Sequence, residues 1–191
     1  MPASSEGLPP SASGAAPIDP RSLSDDDAIN REFLASLETR SLLDNTIELA
    51  EVDPEKYQTI LFAGGHGTAW DFPKSAAVNK IGSAIYENGG FLAAVCHGPA
   101  ALLNIYGSDG KLAIQNKKVA GFSNAEEEAA GLTEVAPYLL QDQLAASGAN
   151  YQEGEKFKSF VVKDGRLITG QNPQSAAELA RTLAKALKQD S

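Results

Sequence analysis

Cysteine occurs once in this chain of 191 residues, at Cys96, so no internal disulfide can form and all sulfur chemistry of the thiol kind falls on one atom. Histidine is nearly as scarce, with His66 and His97 alone. No Asn-x-Ser/Thr sequon is present, and no apolar run approaches the roughly 20 residues that a membrane-spanning helix needs. The N-terminus carries no basic stretch followed by an apolar one, so it does not read as a secretory signal. Positive charge is short as well: 16 Lys and Arg stand against 25 Asp and Glu, a formal net charge of −9. An acidic surface repels phosphate backbones and anionic lipid, which argues against nucleic acid and membranes as partners. With the lone cysteine, these features point to a reducing compartment, most simply the cytosol. The composition, 42% hydrophobic and 21% charged, suits one globular domain of ordinary size.

Residues 1–24 are rich in Pro, Ser, Ala and Gly, with prolines at Pro2, Pro9, Pro10, Pro17 and Pro20. They read as a mobile N-terminal segment ahead of a domain over 25–190. A helix start is expected near Ser24-Asp25-Asp26-Asp27, with Ile29, Phe33, Leu34 and Leu37 recurring at helical spacing. Strands and helices then alternate. Thr59 to Ala63 reads as a buried strand running into Gly64-Gly65-His66-Gly67, and Ser75 to Asn88 as a helix with Val78, Ile81 and Ile85 inward. Phe91 to Val95 reads as a second apolar strand, Pro99 to Ile105 as a helix, Val119 as part of a short strand, and Pro137 to Ser147 as a helix stopped by Gly148. Ser159 to Lys163 and Arg166 to Thr169 flank a hairpin turn at Asp164-Gly165. Pro173 opens a last helix with Ala177, Leu179, Ala180, Leu183, Ala184 and Leu187 on its apolar side. This alternation predicts a mainly parallel α/β sheet, with ligands at the carboxyl ends of the strands.

The segment FLAAVCHGPAALL, Phe91 to Leu103, sends a buried strand into Cys96 and starts a helix directly after it. This is the nucleophile-elbow order, with Ala94 and Gly98 as small neighbours that allow the tight turn. A helix N-terminus beside the sulfur favours thiolate, the reactive form. A lone cysteine can also be a packed core residue, but the strand–Cys–His–Gly–Pro order favours a reactive thiol. His97 can serve as base or electrostatic partner, or cap the helix start; sequence leaves both open. Gly64-Gly65-His66-Gly67 lacks the Lys-Ser/Thr ending of a phosphate loop, yet such a turn can aim a backbone N–H at an oxyanion. No cluster of metal ligands surrounds either histidine, so no zinc is expected. A carboxylate to orient the imidazole should come from Glu126, Glu127 or Glu128. Ser123 and Glu126 have capping-box spacing, Glu128 can face solvent, and Glu127 is the preferred candidate; spacing alone does not decide.

Four stretches together resemble the DJ-1/PfpI superfamily, in its branch of glutathione-independent glyoxalases (glyoxalase III) and heat-shock holdases: FAGGHGTAWDF ending at Phe72, AAVCHGPAAL at Ala93–Leu102, GFSNAEEEA at Gly121–Ala129 and DGRLITGQNPQSA at Asp164–Ala176. The resemblance runs in order from about Ala15 to the C-terminus. It implies a flavodoxin-like three-layer α/β sandwich of the class I glutamine amidotransferase kind. It also implies Cys96 as nucleophile, His97 and Glu127 as its partners, and Gly65, His66 and Asn172 as oxyanion or substrate-binding candidates. The implied reaction converts methylglyoxal to lactate through a Cys96 hemithioacetal, without cofactor or metal. A homodimer is a possible assembly.

Members of that family begin with an apolar strand and a glutamate that contacts the nucleophile. Here no apolar strand precedes Ala16-Pro17-Ile18-Asp19-Pro20, and Glu6 in the Pro/Ser-rich segment is a poor substitute. The expectation is a chain lacking the first strand and its glutamate, with impaired turnover and an unpaired sheet neighbour. Two rival readings follow. One is a non-enzymatic holdase or thiol sensor of the same fold. The other is a cysteine peptidase or amidase; the amidotransferase form needs a downstream His-x-Glu, and no histidine follows His97.

Overall fold

A computed structural model describes residues 14–16, 18 and 27–190. Residues 53–190 form one compact unit, and the described residues between 8 and 52 belong to another. Within the latter lie α1 (Ala28–Ala35) and α2 (Leu37–Asp44). Asp27 caps α1 by accepting from the Ile29 and Asn30 N–H groups. Ser36 caps α2 through Thr39. The single helix expected through Leu37 is thus two, broken because Ser36 leaves helical geometry to cap the second. Neither buries a residue, and Ile29 and Leu37, though at helical spacing, are exposed. Gly14 pairs with Thr46 through both backbone groups. The expected helix-start residues Ser24 to Asp26, the expected segment over residues 1–13, 17 and 19–24, and Glu6 lie outside the described residues.

The larger unit is built on β1 (Thr59–Phe62), α3 (Thr68–Asp71), α4 (Ala76–Glu87), β2 (Phe91–Val95), β3 (Lys118–Val119), α5 (Asn124–Ala129), α6 (Leu140–Ala146), β4 (Asn150–Tyr151), β5 (Val161–Asp164), β6 (Leu167–Gly170) and α7 (Ala176–Asp190). The main sheet runs β1-β2-β6-β5. β1, β2 and β6 are parallel, with Phe62 opposite Ala94 and Val95 opposite Gly170. β5 returns antiparallel to β6, and β3 pairs with β4 in a separate two-stranded ribbon. β2 is enclosed by strands on both sides, which is why FLAAV carries no polar residue and all five positions are buried. Among the described residues β1 has a strand on one side only, and Leu61 is 47% exposed.

The flanking helices follow the sequence with corrections. Ser75 caps α4 through the Val78 N–H, and Val78, Ile81 and Ile85 point into the core. Such aliphatic burial stabilises by roughly 1.5–3 kcal/mol per side chain. The segment after Cys96 is a 3-10 helix, Gly98–Asn104, rather than an α-helix, beginning with the Ala100 N–H on the His97 carbonyl. The helix expected from Pro137 begins only at Leu140, and Gly148 stops it at φ +88°. The hairpin turn falls on Gly165-Arg166, one residue later than expected, since Asp164 still pairs with Leu167. On α7 the buried stripe is Leu179, Leu183 and Ala186, while Ala177, Ala180 and Ala184 face solvent. One narrow stripe cannot hold six residues, and Leu187 is only half-buried beside it.

Because β1 and β2 are parallel neighbours, their carboxyl ends open side by side. The Gly64–Gly67 turn and the Cys96–Gly98 elbow therefore meet, with the end of β6 alongside.

Candidate active site

Cys96 leaves β2 with φ +60°, a left-handed conformation uncommon for a residue with a side chain. Two backbone hydrogen bonds hold it there: the Cys96 N–H donates to Gly170 O at 2.9 Å, and the Phe122 N–H donates to Cys96 O at 2.9 Å. The turn closes because both neighbouring loops present glycine. A Cβ on Gly98 would lie 2.2 Å from the Phe62 carbonyl oxygen, and one on Gly64 would lie 2.6 Å from the Cys96 Cβ. The expected elbow is present, with strain concentrated at the sulfur-bearing residue.

His97 is 2% exposed and folds back on its neighbour, placing Nδ1 3.4 Å from the Cys96 Sγ. Its Nε2 lies 2.8 Å from Oε2 of Glu127. A carboxylate only accepts, so this contact fixes the proton on Nε2 and leaves the Nδ1 lone pair facing the sulfur. Phe122 packs on the imidazole at 4.6 Å between ring centroids. The linear order is therefore thiol, imidazole, carboxylate.

The other oxygen of Glu127 is not free. Oε1 lies 2.8 Å from Nε2 of His66, whose ring stands 4.1 Å from that of His97. His66 comes from the turn after β1 and is half-buried. Both histidines thus converge on one carboxylate that is itself 2% exposed. Their separation by 31 sequence positions hid this cluster from the sequence; the signal available was that both follow adjacent parallel strands.

Glu126, by contrast, builds the scaffold. It completes the capping box with Ser123. It also accepts from the Phe157 N–H at 2.7 Å and the Asn172 amide at 2.8 Å. Asn172 further donates to Lys158 O and accepts from the Ser175 hydroxyl, so its amide is fully engaged with protein. Glu128 is exposed. Of the candidates, Cys96, His97, Glu127, His66 and Gly65 are brought together, and Asn172 reaches them through Glu126.

The electrostatics differ from the sequence expectation. Burial pushes the Cys96 thiol up to about 11, against the lowering effect of the Gly65 and His97 N–H groups on the sulfur, and the charges of Glu126 and Glu127 add to the rise. A 3-10 turn and two N–H donors do not offset the loss of solvent, so the resting group is a thiol rather than the expected thiolate. Burial also lowers His97 below its usual value, opposed by its hydrogen bond to Glu127. The resting pair is neutral thiol and neutral imidazole.

Among the described residues no helix is long and apolar enough to cross a membrane. Residues 22–186 match the model of the DJ-1/PfpI family. The chain is 41% identical over 154 residues to the probable glutathione-independent glyoxalase hsp3103 of Schizosaccharomyces pombe, across 76% of this chain and 59% of that protein. The chain thus spans well under two thirds of that relative's length. Among solved structures it is similar to rapid encystment protein 24 kDa of Francisella tularensis, with 42% identity and a TM-score of 0.87 over 92% of this chain and 78% of the other. It is also similar to glyoxalase III of Candida albicans, with 32% identity and a TM-score of 0.82 over 89% and 75%.

Proposed function

The chain belongs to the DJ-1/PfpI family, and from that premise we propose that it is a glutathione-independent glyoxalase acting on a small α-oxoaldehyde such as methylglyoxal. The observation that carries this reading is the relay of Cys96 Sγ, His97 and Glu127, with spacings of 3.4 and 2.8 Å. Relatives of 35–41% identity bear glyoxalase names.

In this reading His97 Nδ1 takes the thiol proton as Sγ adds to the aldehyde carbon, and Glu127 stabilises the imidazolium through Nε2. The proton passes to the developing oxyanion, for which the Gly65 and His97 N–H groups, donors to the sulfur in the resting site, are the proposed partners, giving a hemithioacetal. His97 then moves the C1 proton to C2 through an enediol, leaving a thioester of a 2-hydroxy acid. Water cleaves it and restores the thiol, so methylglyoxal and water give lactate with no net oxidation. No cofactor enters this scheme. A cytosolic site of action fits the lone cysteine and acidic charge.

The test is lactate formed from methylglyoxal without glutathione, comparing wild type with Cys96→Ser and His97→Ala. Turnover lost in both variants supports the reading; a folded wild type with no turnover refutes it. A holdase role draws separate support from the exposed Ile29, Leu37, Leu42 and Ile47 in the 27–47 region. Suppression of aggregation of a heat-unfolded client, retained in Cys96→Ser, would distinguish it.

A further inference from the structure

Glu126 and Glu127 are consecutive and both buried, at 0% and 2% exposure. Among the described residues no lysine or arginine pairs with either of them. Glu126 is satisfied by neutral donors from Ser123, Phe157 and Asn172. Glu127 has two imidazoles, one on each oxygen. A buried carboxylate with no cationic side chain beside it is a place where a metal cation gains most from the protein field. The donor set around it is already that of a zinc site. The ligand atoms of His66, His97 and Glu127 all lie within 4.8 Å of one another, and two imidazoles with one carboxylate are ligands zinc takes when it keeps an open fourth position.

We infer that His66, His97 and Glu127 form a binding site for a zinc-type divalent cation, entered from the His66 side. Tetrahedral zinc with bonds of about 2.1 Å holds its ligand atoms about 3.4 Å apart, so the cluster has to tighten. His66 is the member able to move, because its side chain is 36% exposed and it sits on the Gly64–Gly67 turn. His97 and Glu127 are each 2% exposed and stay fixed. Binding replaces the two Nε2–H···O contacts by metal–nitrogen bonds. Each ring then carries its proton on Nδ1, and a net proton is released only if a histidine was doubly protonated beforehand. On His97 that Nδ1 proton points at the Cys96 Sγ, 3.4 Å away. The lone pair that receives the thiol proton is gone, so the loaded form is switched off. That consequence rests on the glyoxalase reading; the binding site does not. Cys96 is no ligand here, because its sulfur faces the opposite nitrogen of the ring.

The experiment uses the full chain, stripped with a chelator and titrated with Zn²⁺ by calorimetry and with Co²⁺ by visible absorption. One ion per chain is expected, with affinity in Cys96→Ser within about threefold of wild type. The Co²⁺ form should show d–d bands and no thiolate charge-transfer band. Loss of a protein ligand in His66→Ala should weaken binding at least about 100-fold. His66→Gln serves as the companion variant, since it can still donate to Glu127 but is a poor zinc ligand, and it too should lose the ion. Zinc should inhibit methylglyoxal turnover by wild type, reversibly with chelator. No saturable binding, or binding lost in Cys96→Ser and kept in both His66 variants, overturns the inference. If the chain shows no turnover at all, the glyoxalase reading fails while the titration still decides the metal site.

Discussion

Glutamine at position 126 and glutamine at position 127 should do opposite things, although the residues are neighbours on one short helix. Glu126 Oε1 accepts from the Phe157 N–H and the Asn172 amide at 2.7 and 2.8 Å, and Oε2 accepts from the Ser123 N–H and hydroxyl, both at 3.0 Å. Glu126→Gln loses least with its NH₂ at the Oε2 position, where the Ser123 hydroxyl can turn to accept from it but the Ser123 N–H is left without an acceptor. One hydrogen bond to a charged acceptor is lost at about 1.5–3 kcal/mol and the others lose their charge assistance, so the cost should be about 2–4 kcal/mol. For a chain of this size that lowers Tm by about 4–16 °C. Glu127→Gln keeps one oxygen for one histidine, and the other histidine can switch tautomer to accept from the amide. Its cost should be about 1 kcal/mol, while loss of the anion behind His97 should cut turnover by about 10²–10⁴-fold. Calorimetric melting and lactate formation separate the two variants. The reasoning fails if Glu127→Gln melts below Glu126→Gln, or if Glu126→Gln keeps the wild-type Tm. The pH dependence adds a check. Burial pushes the Glu126 carboxyl up, but the donors from Phe157, Ser123 and Asn172 together hold it below its ordinary 4.5. A depressed folded value means stability present above 4.5 and lost as pH falls through the folded value. The Tm gap between wild type and Glu126→Gln should therefore be constant from about pH 8 to about pH 5 and narrow below that.

With the thiol raised to about 11, alkylation of Cys96 by iodoacetamide should rise about tenfold per pH unit from pH 7 to 10; a plateau already at pH 7 would contradict a protonated resting thiol. Gly98→Ala places a Cβ 2.2 Å from the Phe62 carbonyl oxygen, and the forced separation of elbow and β1 should cost about 2–3 kcal/mol in urea unfolding. Thr169→Val removes the hydroxyl that accepts from the buried Ala120 N–H at 2.8 Å. It should cost about 1–3 kcal/mol by the same assay and leave the alkylation profile unchanged.

The legible parts of the site are those in which neighbouring residues suffice. A five-residue apolar strand followed by Cys-His-Gly-Pro shows the elbow, because strand, sharp turn and helical start are contiguous. Glu126, Glu127 and Glu128 could not be ranked by spacing. Consecutive positions on a helix diverge by about 100°, and only the placement of α5 against the elbow decides which carboxylate meets His97. The His66–Glu127 contact joins residues 61 positions apart and depends on the pairing of β1 with β2. The apolar periodicity of Ile29, Phe33 and Leu37 misled for the converse reason: a pattern predicts which face could be buried, and in α1 and α2 nothing is.

The same geometry bears on the choice between enzyme and thiol sensor. Sensor cysteines are exposed and carry a low pKa, since oxidants attack the thiolate. Cys96 is 8% exposed, and burial and two nearby carboxylates hold its proton on. What the site supplies instead is a neutral base at 3.4 Å, oriented by Glu127, so thiolate character develops only as a carbonyl carbon arrives to take the electron pair. A small neutral aldehyde brings no charge to such a site, whereas charge placed on the sulfur in advance would face Glu126 and Glu127. Both facts favour chemistry started by the substrate over oxidation of a resting thiolate, and the alkylation profile of Cys96 is the observation on which the two accounts part.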